Sequence, residues 1–169
     1  MAEIIKARAE HVEGIADVCS KAYRSTYRDS YPEEYIERVI RQFYNKPRIL
    51  EEVTHTGKEW GGYFVAIENG DIIGAGAGGM TAKKVGELFV LYMHPERRNE
   101  GNGSKILEAV TRQQKEEYGA VEQWVSVAKG NDKGIPFYEA RGFTFEYEHP
   151  VYGSLEGENY ISLRYRRYI

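Results

Sequence analysis

The chain has a single cysteine, Cys19, among 169 residues, and that scarcity excludes both an internal disulfide framework and a thiolate metal cluster. Histidine is also sparse. His11, His55, His94 and His149 have neither paired spacing nor acidic companions suited to zinc, so no metal is expected. No apolar run approaches the roughly 20 residues that span a bilayer, and Glu3, Lys6 and Arg8 stand where a signal peptide would be apolar. A cytoplasmic protein without membrane contact is the expectation. Basic residues are not in excess either: the formal charge of -3 argues against nucleic acid, whose binding draws most of its affinity from clustered cations. Repeats, low-complexity tracts and linkers are lacking too, and residues 1–169 are expected to form one domain.

What is present alternates between strand and helix periods. Glu3 to Ala7 is a short β-like start, and Ala9 to Tyr27 has helical spacing in Val12, Ile15, Ala16, Val18, Cys19 and Ala22. Pro32 fits the first turn of a second helix that ends before Lys46-Pro47, and Ile49 to Val53 has a further helical stretch. Thr54 to Gly62 is polar and reads as a loop bordering a binding site. The period then becomes that of strands: Tyr63 to Glu68, a hairpin turn at Asn69-Gly70, Ile72 to Thr81, and Glu87 to Met93. A helix runs to Tyr118, where Gly119 can cap it, and a strand at Glu122 to Ala128 must run parallel to Glu87–Met93 if the helix between them is a right-handed crossover. A short helix at Pro136 to Arg141 and strands at Phe143 to Glu148 and Asn159 to Tyr168 follow. Arg164 to Arg167, alternating with tyrosine, reads as an edge strand bearing solvated charges.

Between Met93 and that long helix lies His94-Pro95-Glu96-Arg97-Arg98-Asn99-Glu100-Gly101-Asn102-Gly103. A helix start leaves its first amides unpaired and carries a partial positive charge, so Arg98 and the glycines can hold a pyrophosphate, and hence a nucleotide-bearing cofactor. Two other glycine patterns carry no such reading. Gly74-Ala75-Gly76-Ala77-Gly78-Gly79 fits a dinucleotide pattern but leads into another strand, so its glycines are expected to admit a close neighbour or a bulge. Gly101 to Lys105 lacks the spacing of a P-loop.

Arg98, Gly101 and Gly103 match the Arg/Gln-x-x-Gly-x-Gly/Ala acetyl-CoA loop of the GNAT superfamily of N-acetyltransferases. Gly130-Asn131, Phe137-Tyr138-Glu139 and Arg141-Gly142-Phe143 are similar to that family's second signature. The resemblance covers nearly the whole chain. It implies an α/β (α+β) fold with a mixed, mostly antiparallel sheet flanked by helices on both faces, whose two central parallel strands, Glu87–Met93 and Glu122–Ala128, splay apart around the cofactor's pantetheine arm. It also assigns the pyrophosphate to Arg98 and the amides through Asn99, Gly101, Asn102, Gly103 and Ser104. Leu91 and Met93 would offer main-chain groups to the pantetheine, an amide near Leu91 or Tyr92 would hold the oxyanion, and Asn131 would bond the pantetheine, cap a helix, or do both.

The implied chemistry is direct transfer of an acetyl group from acetyl-CoA to a primary amine in a ternary complex. An acceptor of pKa ~10.4 is mostly protonated at pH 7, and removing the proton costs roughly 4.6 kcal/mol, ~3.4 units at ~1.36 each. Glu87, at the start of its strand, is the candidate base acting through water; a solvated strand-edge carboxylate is the alternative. Tyr138 fits the acid that assists the leaving thiolate, a modest need because a thiol of pKa ~8.5 already leaves tolerably. By analogy the acceptor, a small-molecule or peptide amine, lies among Tyr27, Tyr31, Tyr152 and Tyr160, although 14 tyrosines make packing an alternative for each. A homodimer through the final strands is a further implication. The rival reading is a non-catalytic acyl-CoA sensor, which would need neither Tyr138 nor Glu87.

Overall fold

Asn69 and Gly70 adopt left-handed φ values of 52° and 82°, the conformation that matches a two-residue turn to the twist of flanking strands. They join β2 (Tyr63–Glu68) to β3 (Asp71–Ala82) in a computed structural model that describes residues 1–169. The remaining elements are β1 (Glu3–Lys6), α1 (Val12–Tyr27), α2 (Glu33–Phe43), α3 (Lys46–Thr54), β4 (Val85–Met93), α4 (Asn102–Tyr118), β5 (Glu122–Ala128), α5 (Gly134–Glu139), β6 (Thr144–Pro150) and β7 (Ile161–Tyr168). A 3₁₀ turn at Ala9–His11 precedes α1 where the spacing predicts one continuous helix. The seven strands form one sheet in the order β1-β2-β3-β4-β5-β7-β6, antiparallel throughout except for β4 against β5. This is the mixed sheet with one central parallel pair that the sequence implies.

Two boundaries differ instructively. Pro47 does not merely end a helix; it occupies the first turn of α3, and the Asn45 side chain caps that turn by accepting from the Arg48 amide at 2.9 Å. Arg164 to Arg167 do not lie on an edge strand. β7 is inserted between β5 and β6, so β6 holds the edge and the arginines of β7 stand inside the sheet. The chain order suggested an edge for its last strand, but the closing hairpin reverses that order.

β3 sorts its small residues by face. Ala75 and Ala77 pack beneath α1 with Ile15, Val18, Cys19 and Val65. A Cβ on Gly76 would come within 2.6 Å of Ile106 and one on Gly78 within 2.8 Å of Val110, both on α4. The glycine run that mimics a dinucleotide motif is therefore the seat of a tightly docked helix. Ile106, Leu107 and Val110 are fully buried there, each contributing about 1.5–3 kcal/mol of apolar burial. α1 and α3 cover one face of the sheet, with α2 leaning on α1; α4 and α5 cover the other.

β4 carries a bulge at Phe89: Ala77 pairs with Val90 and Gly78 with Leu88. The extra residue inverts the alternation. Leu88 packs toward α4 and α5 before it, Val90 and Tyr92 pack toward α1 after it, and Leu91 and Met93 turn to the α4 side.

Candidate active site

β4 and β5 pair only from Val85↔Glu122 to Leu88↔Val125; beyond that, Phe89–Met93 and Ser126–Ala128 diverge. The fork opens a cleft of about 470 Å³. Its walls are Leu88–Met93 and Val125–Val127, its far end is the loop from Arg97 to Ser104, and Asn131, Pro136–Tyr138 and Arg141 close the α5 side, with Thr26 and Tyr27 opposite. Leu91, Met93, Arg98, Asn99, Gly101, Asn102, Gly103, Ser104, Asn131 and Tyr138 thus converge on one cavity.

The loop is built by local constraints. The His94 amide donates to the Ile73 carbonyl at 2.8 Å, and the Arg97 amide to the His94 carbonyl at 2.9 Å, which turns the chain back from β4. Arg97 pairs with Glu100 at 2.9 Å and also with Glu68, pinning the turn to β2. Asn99 and Gly101 are left-handed, with φ of 63° and 84°. Gly101 starts α4 with no side-chain cap, so the first amides of this helix keep their donors free at the cleft. Free amides at a helix start suit an anion. The two glycines differ in what they require. Gly101 needs its left-handed backbone, with open space where a Cβ would be, whereas a Cβ on Gly103 would meet Phe137 and Met93 at an ordinary 3.6 and 3.7 Å. Any demand for glycine at 103 comes from the cleft side.

Arg98 donates to the Thr26 hydroxyl at 3.2 Å, tying the loop to the end of α1. The Asn131 side-chain oxygen accepts from the Gly134 amide at 2.9 Å and the Lys133 amide at 3.3 Å, capping the turn into α5. Tyr27, at the end of α1, lines the same cleft as Tyr92 and Asn131. Tyr138 is buried, edge-on to Phe137 at 5.1 Å and to Phe143 at 5.5 Å. Burial raises the pKa of Tyr27, Tyr92 and Tyr138, so each is a neutral phenol with a proton to donate.

Glu87 lies at the base of the fork, paired in register with Trp124, and does not line the cleft. Both its oxygens accept from Arg164 of β7, at 2.7 and 2.9 Å, and the same guanidinium donates to Ser126 at 2.7 Å. The carboxylate raises the pKa of Arg164. The two side chains are 13 % and 17 % exposed, so this is a half-dry ion pair rather than a solvated strand-edge charge. Arg164 bridges β4 and β5 where they part; nothing in the sequence spacing relates it to Glu87.

Of the tyrosines named for the acceptor, Tyr27, Tyr31 and Tyr160 form a run with Tyr35: centroids lie 5.1 Å apart for 27–31, 4.7 Å for 31–35, 4.6 Å for 31–160 and 4.5 Å for 35–160. Tyr152 is not among them; it faces Phe43 and is 85 % exposed. The loop after α3 sets Trp60 parallel to Phe89 at 6.0 Å, which places it beside the bulge of β4. Arg141 lines the cleft and donates to Ser104, although its place in the second signature assigned it no role.

The sequence profile of the acetyltransferase (GNAT) family matches residues 18–143. The spermidine N(1)-acetyltransferase of Thermoplasma acidophilum is 31 % identical over 145 residues, covering 85 % of this chain and 89 % of that protein. The crystal structure of the PaiA N-acetyltransferase of Thermoplasma acidophilum in complex with coenzyme A superposes with a TM-score of 0.85 at 26 % identity, covering 100 % of this chain and 99 % of that one. A GCN5-related N-acetyltransferase from Rhodopseudomonas palustris shares the fold, with a TM-score of 0.80 at 16 % identity over 100 % of this chain and 96 % of that one. A forked sheet with an uncapped helix start at its mouth, matched by profile, sequence and superposition alike, makes this chain a member of the GNAT family of N-acetyltransferases.

Proposed function

We propose that the protein transfers the acetyl group of acetyl-CoA directly to a primary amine, with an alkylamine of the polyamine type as acceptor. The observation that carries the reading is the fork. Five residues of β4 and three of β5 have main-chain groups released from pairing with each other, and the cleft between them ends on the free amides of α4. Those groups suit a pantetheine arm, which bonds a strand as a peptide does, ending in a diphosphate. Arg98, Asn99 and the amides of Gly101 to Ser104 would hold the diphosphate, Leu91, Met93 and Asn131 the arm. Acetyl-CoA supplies an activated thioester whose carbonyl is open to an amine.

The chain's own residues supply the rest. A main-chain amide at Leu91 or Tyr92, past the bulge, is the donor for the developing oxyanion. Tyr138 stays protonated because it is buried, and it serves the departing sulfur as a hydrogen-bond donor. Glu87 is the proton acceptor, reached through water, with Arg164 fixing the direction of its carboxylate. The run of Tyr27, Tyr31, Tyr35 and Tyr160 offers aromatic faces that an alkylammonium chain favours. The likeness to a spermidine acetyltransferase over 85 % of the chain supports that acceptor class.

Titration calorimetry with acetyl-CoA, followed by free-thiol release across a panel of polyamines, amino acids and peptides, tests the reading. Turnover is expected with the polyamines, and mass spectrometry is expected to find one added acetyl group. Binding of acetyl-CoA without thiol release on any amine would make the protein a sensor instead.

A further inference from the structure

Two guanidinium groups against α4 have no carboxylate partner, Arg141 at its first turn and Arg167 at its middle. Arg167 of β7 donates from Nε to the Gln123 side-chain oxygen at 3.0 Å, to the Arg141 carbonyl at 2.8 Å and to the Thr111 hydroxyl at 3.1 Å, and lies 4.5 Å over the Phe143 ring. Arg141 donates from Nε to Ser104 at 3.1 Å and from one terminal nitrogen to the Phe137 carbonyl at 2.8 Å, and lies 3.8 Å over the Phe137 ring. Its other terminal nitrogen makes no bond within the protein, and the side chain lines the cleft. Burial, then the charge of Arg141, pulls the pKa of Arg167 down. The positive end of the α4 dipole adds to the same corner.

Even a half-buried cation is costly without an anion. In a chain whose net charge is -3, an arginine without a carboxylate partner that lines a cleft, backed by a second such arginine on its main chain, marks a place that expects negative charge from outside. The free amides of α4 can satisfy a diphosphate, but coenzyme A carries a third phosphate, the monoester on its ribose. Arg141, with two of its nitrogens already fixed and one free, is preorganised to take it.

We propose that Arg141 grips the ribose phosphate of the coenzyme and that Arg167, without touching the coenzyme, is the positioning residue that holds the Arg141 main chain. This rests on the cleft being the coenzyme site. The two arginines then make the protein selective for the phosphorylated coenzyme over its 3′-dephospho form.

Calorimetry of coenzyme A and 3′-dephospho-coenzyme A against the wild type, Arg141→Ala, Arg167→Gln, Arg167→Lys and Thr111→Val tests this. The wild type is expected to prefer coenzyme A by about tenfold or more, as one charge-assisted contact provides. Arg141→Ala is expected to abolish that preference while the affinity for the dephospho form stays within about twofold. Arg167→Gln is expected to lower the preference part way and to raise the KM for acetyl-CoA with kcat at saturation unchanged, and Arg167→Lys to recover some of it. Thr111→Val, which removes one bond from Arg167 with little change of shape, keeps the positioning role testable if the Arg167 variants fold poorly; an unchanged preference there overturns that role. Equal loss of both ligands in Arg141→Ala, or no loss, overturns the phosphate grip. A wild type that binds neither ligand removes the coenzyme site itself, and is distinct from both.

Discussion

Gly101 and Gly103 stand two residues apart in one loop and are expected to fail in opposite ways. At Gly101 φ is 84°, with open space around the missing Cβ, so Gly101→Ala costs the left-handed strain of an L-residue, about 1–2 kcal/mol. For a chain of this length that lowers Tm by roughly 2–8 °C. At Gly103, inside the first turn of α4, an added methyl meets only Phe137 and Met93 at van der Waals distance, while alanine is the better helix former by up to about 1 kcal/mol. Gly103→Ala is therefore expected to hold or slightly raise stability. Its cost falls on the ligand: a methyl group between the helix amides and a diphosphate weakens charge-assisted bonds worth about 1.5–3 kcal/mol each, so affinity for coenzyme A drops by about tenfold or more. Urea denaturation and calorimetry on the two variants separate the effects. Coenzyme affinity unchanged in Gly103→Ala, or a loss of stability above about 1 kcal/mol there, refutes the assignment of that glycine to the ligand side.

Tyr138→Phe keeps the edge-on packing with Phe137 and Phe143 and removes only the hydroxyl, so it is expected to slow turnover less than Gly103→Val does; steady-state rates in the reverse order contradict the modest acid role. Glu87→Gln is expected to lower kcat by about a hundredfold or more with little change in the KM for acetyl-CoA, as loss of a general base does. A kcat within about threefold of wild type moves the base elsewhere. Glu52 has one carboxylate oxygen buried without a partner, and burial raises its pKa despite Arg48. A carboxyl raised on folding destabilises the protein once pH rises past its unfolded pKa of ~4.3, so Glu52→Gln is expected to stabilise at neutral pH, with the gain vanishing near pH 4. Urea titrations across that range check the sign.

Strand and helix identities were legible wherever one period dominated, as in α1, α4 and β5, and the parallel relation of β4 to β5 followed from crossover handedness. The turn from β4 into the uncapped start of α4 was legible because glycine spacing at a strand-to-helix junction has a local cause. Pairings set by the sheet's lateral order were not. β7 lies between β5 and β6, and only that insertion brings Arg164 to Glu87 and Arg167 to Arg141, across 77 and 26 residues of chain. The Phe89 bulge was equally hidden, because a single extra residue leaves no mark on hydrophobic periodicity yet reverses which side chains of β4 face α1. Tyr152 was separated from Tyr27, Tyr31 and Tyr160 by the path of the loop between β6 and β7, which composition does not encode.

The interior position of β7 also bears on biosynthesis. Ribosomes deliver this strand after β1 to β6, yet β5 has no lateral partner on that side until it arrives, and the staple from Arg164 to Glu87 and Ser126 arrives with it. A nascent chain halted before Ile161 therefore exposes the open flank of β5 to other extended segments. Maturation of the groove is thereby deferred until β7 has been added, and products that stop short of it are natural clients for chaperones and proteases.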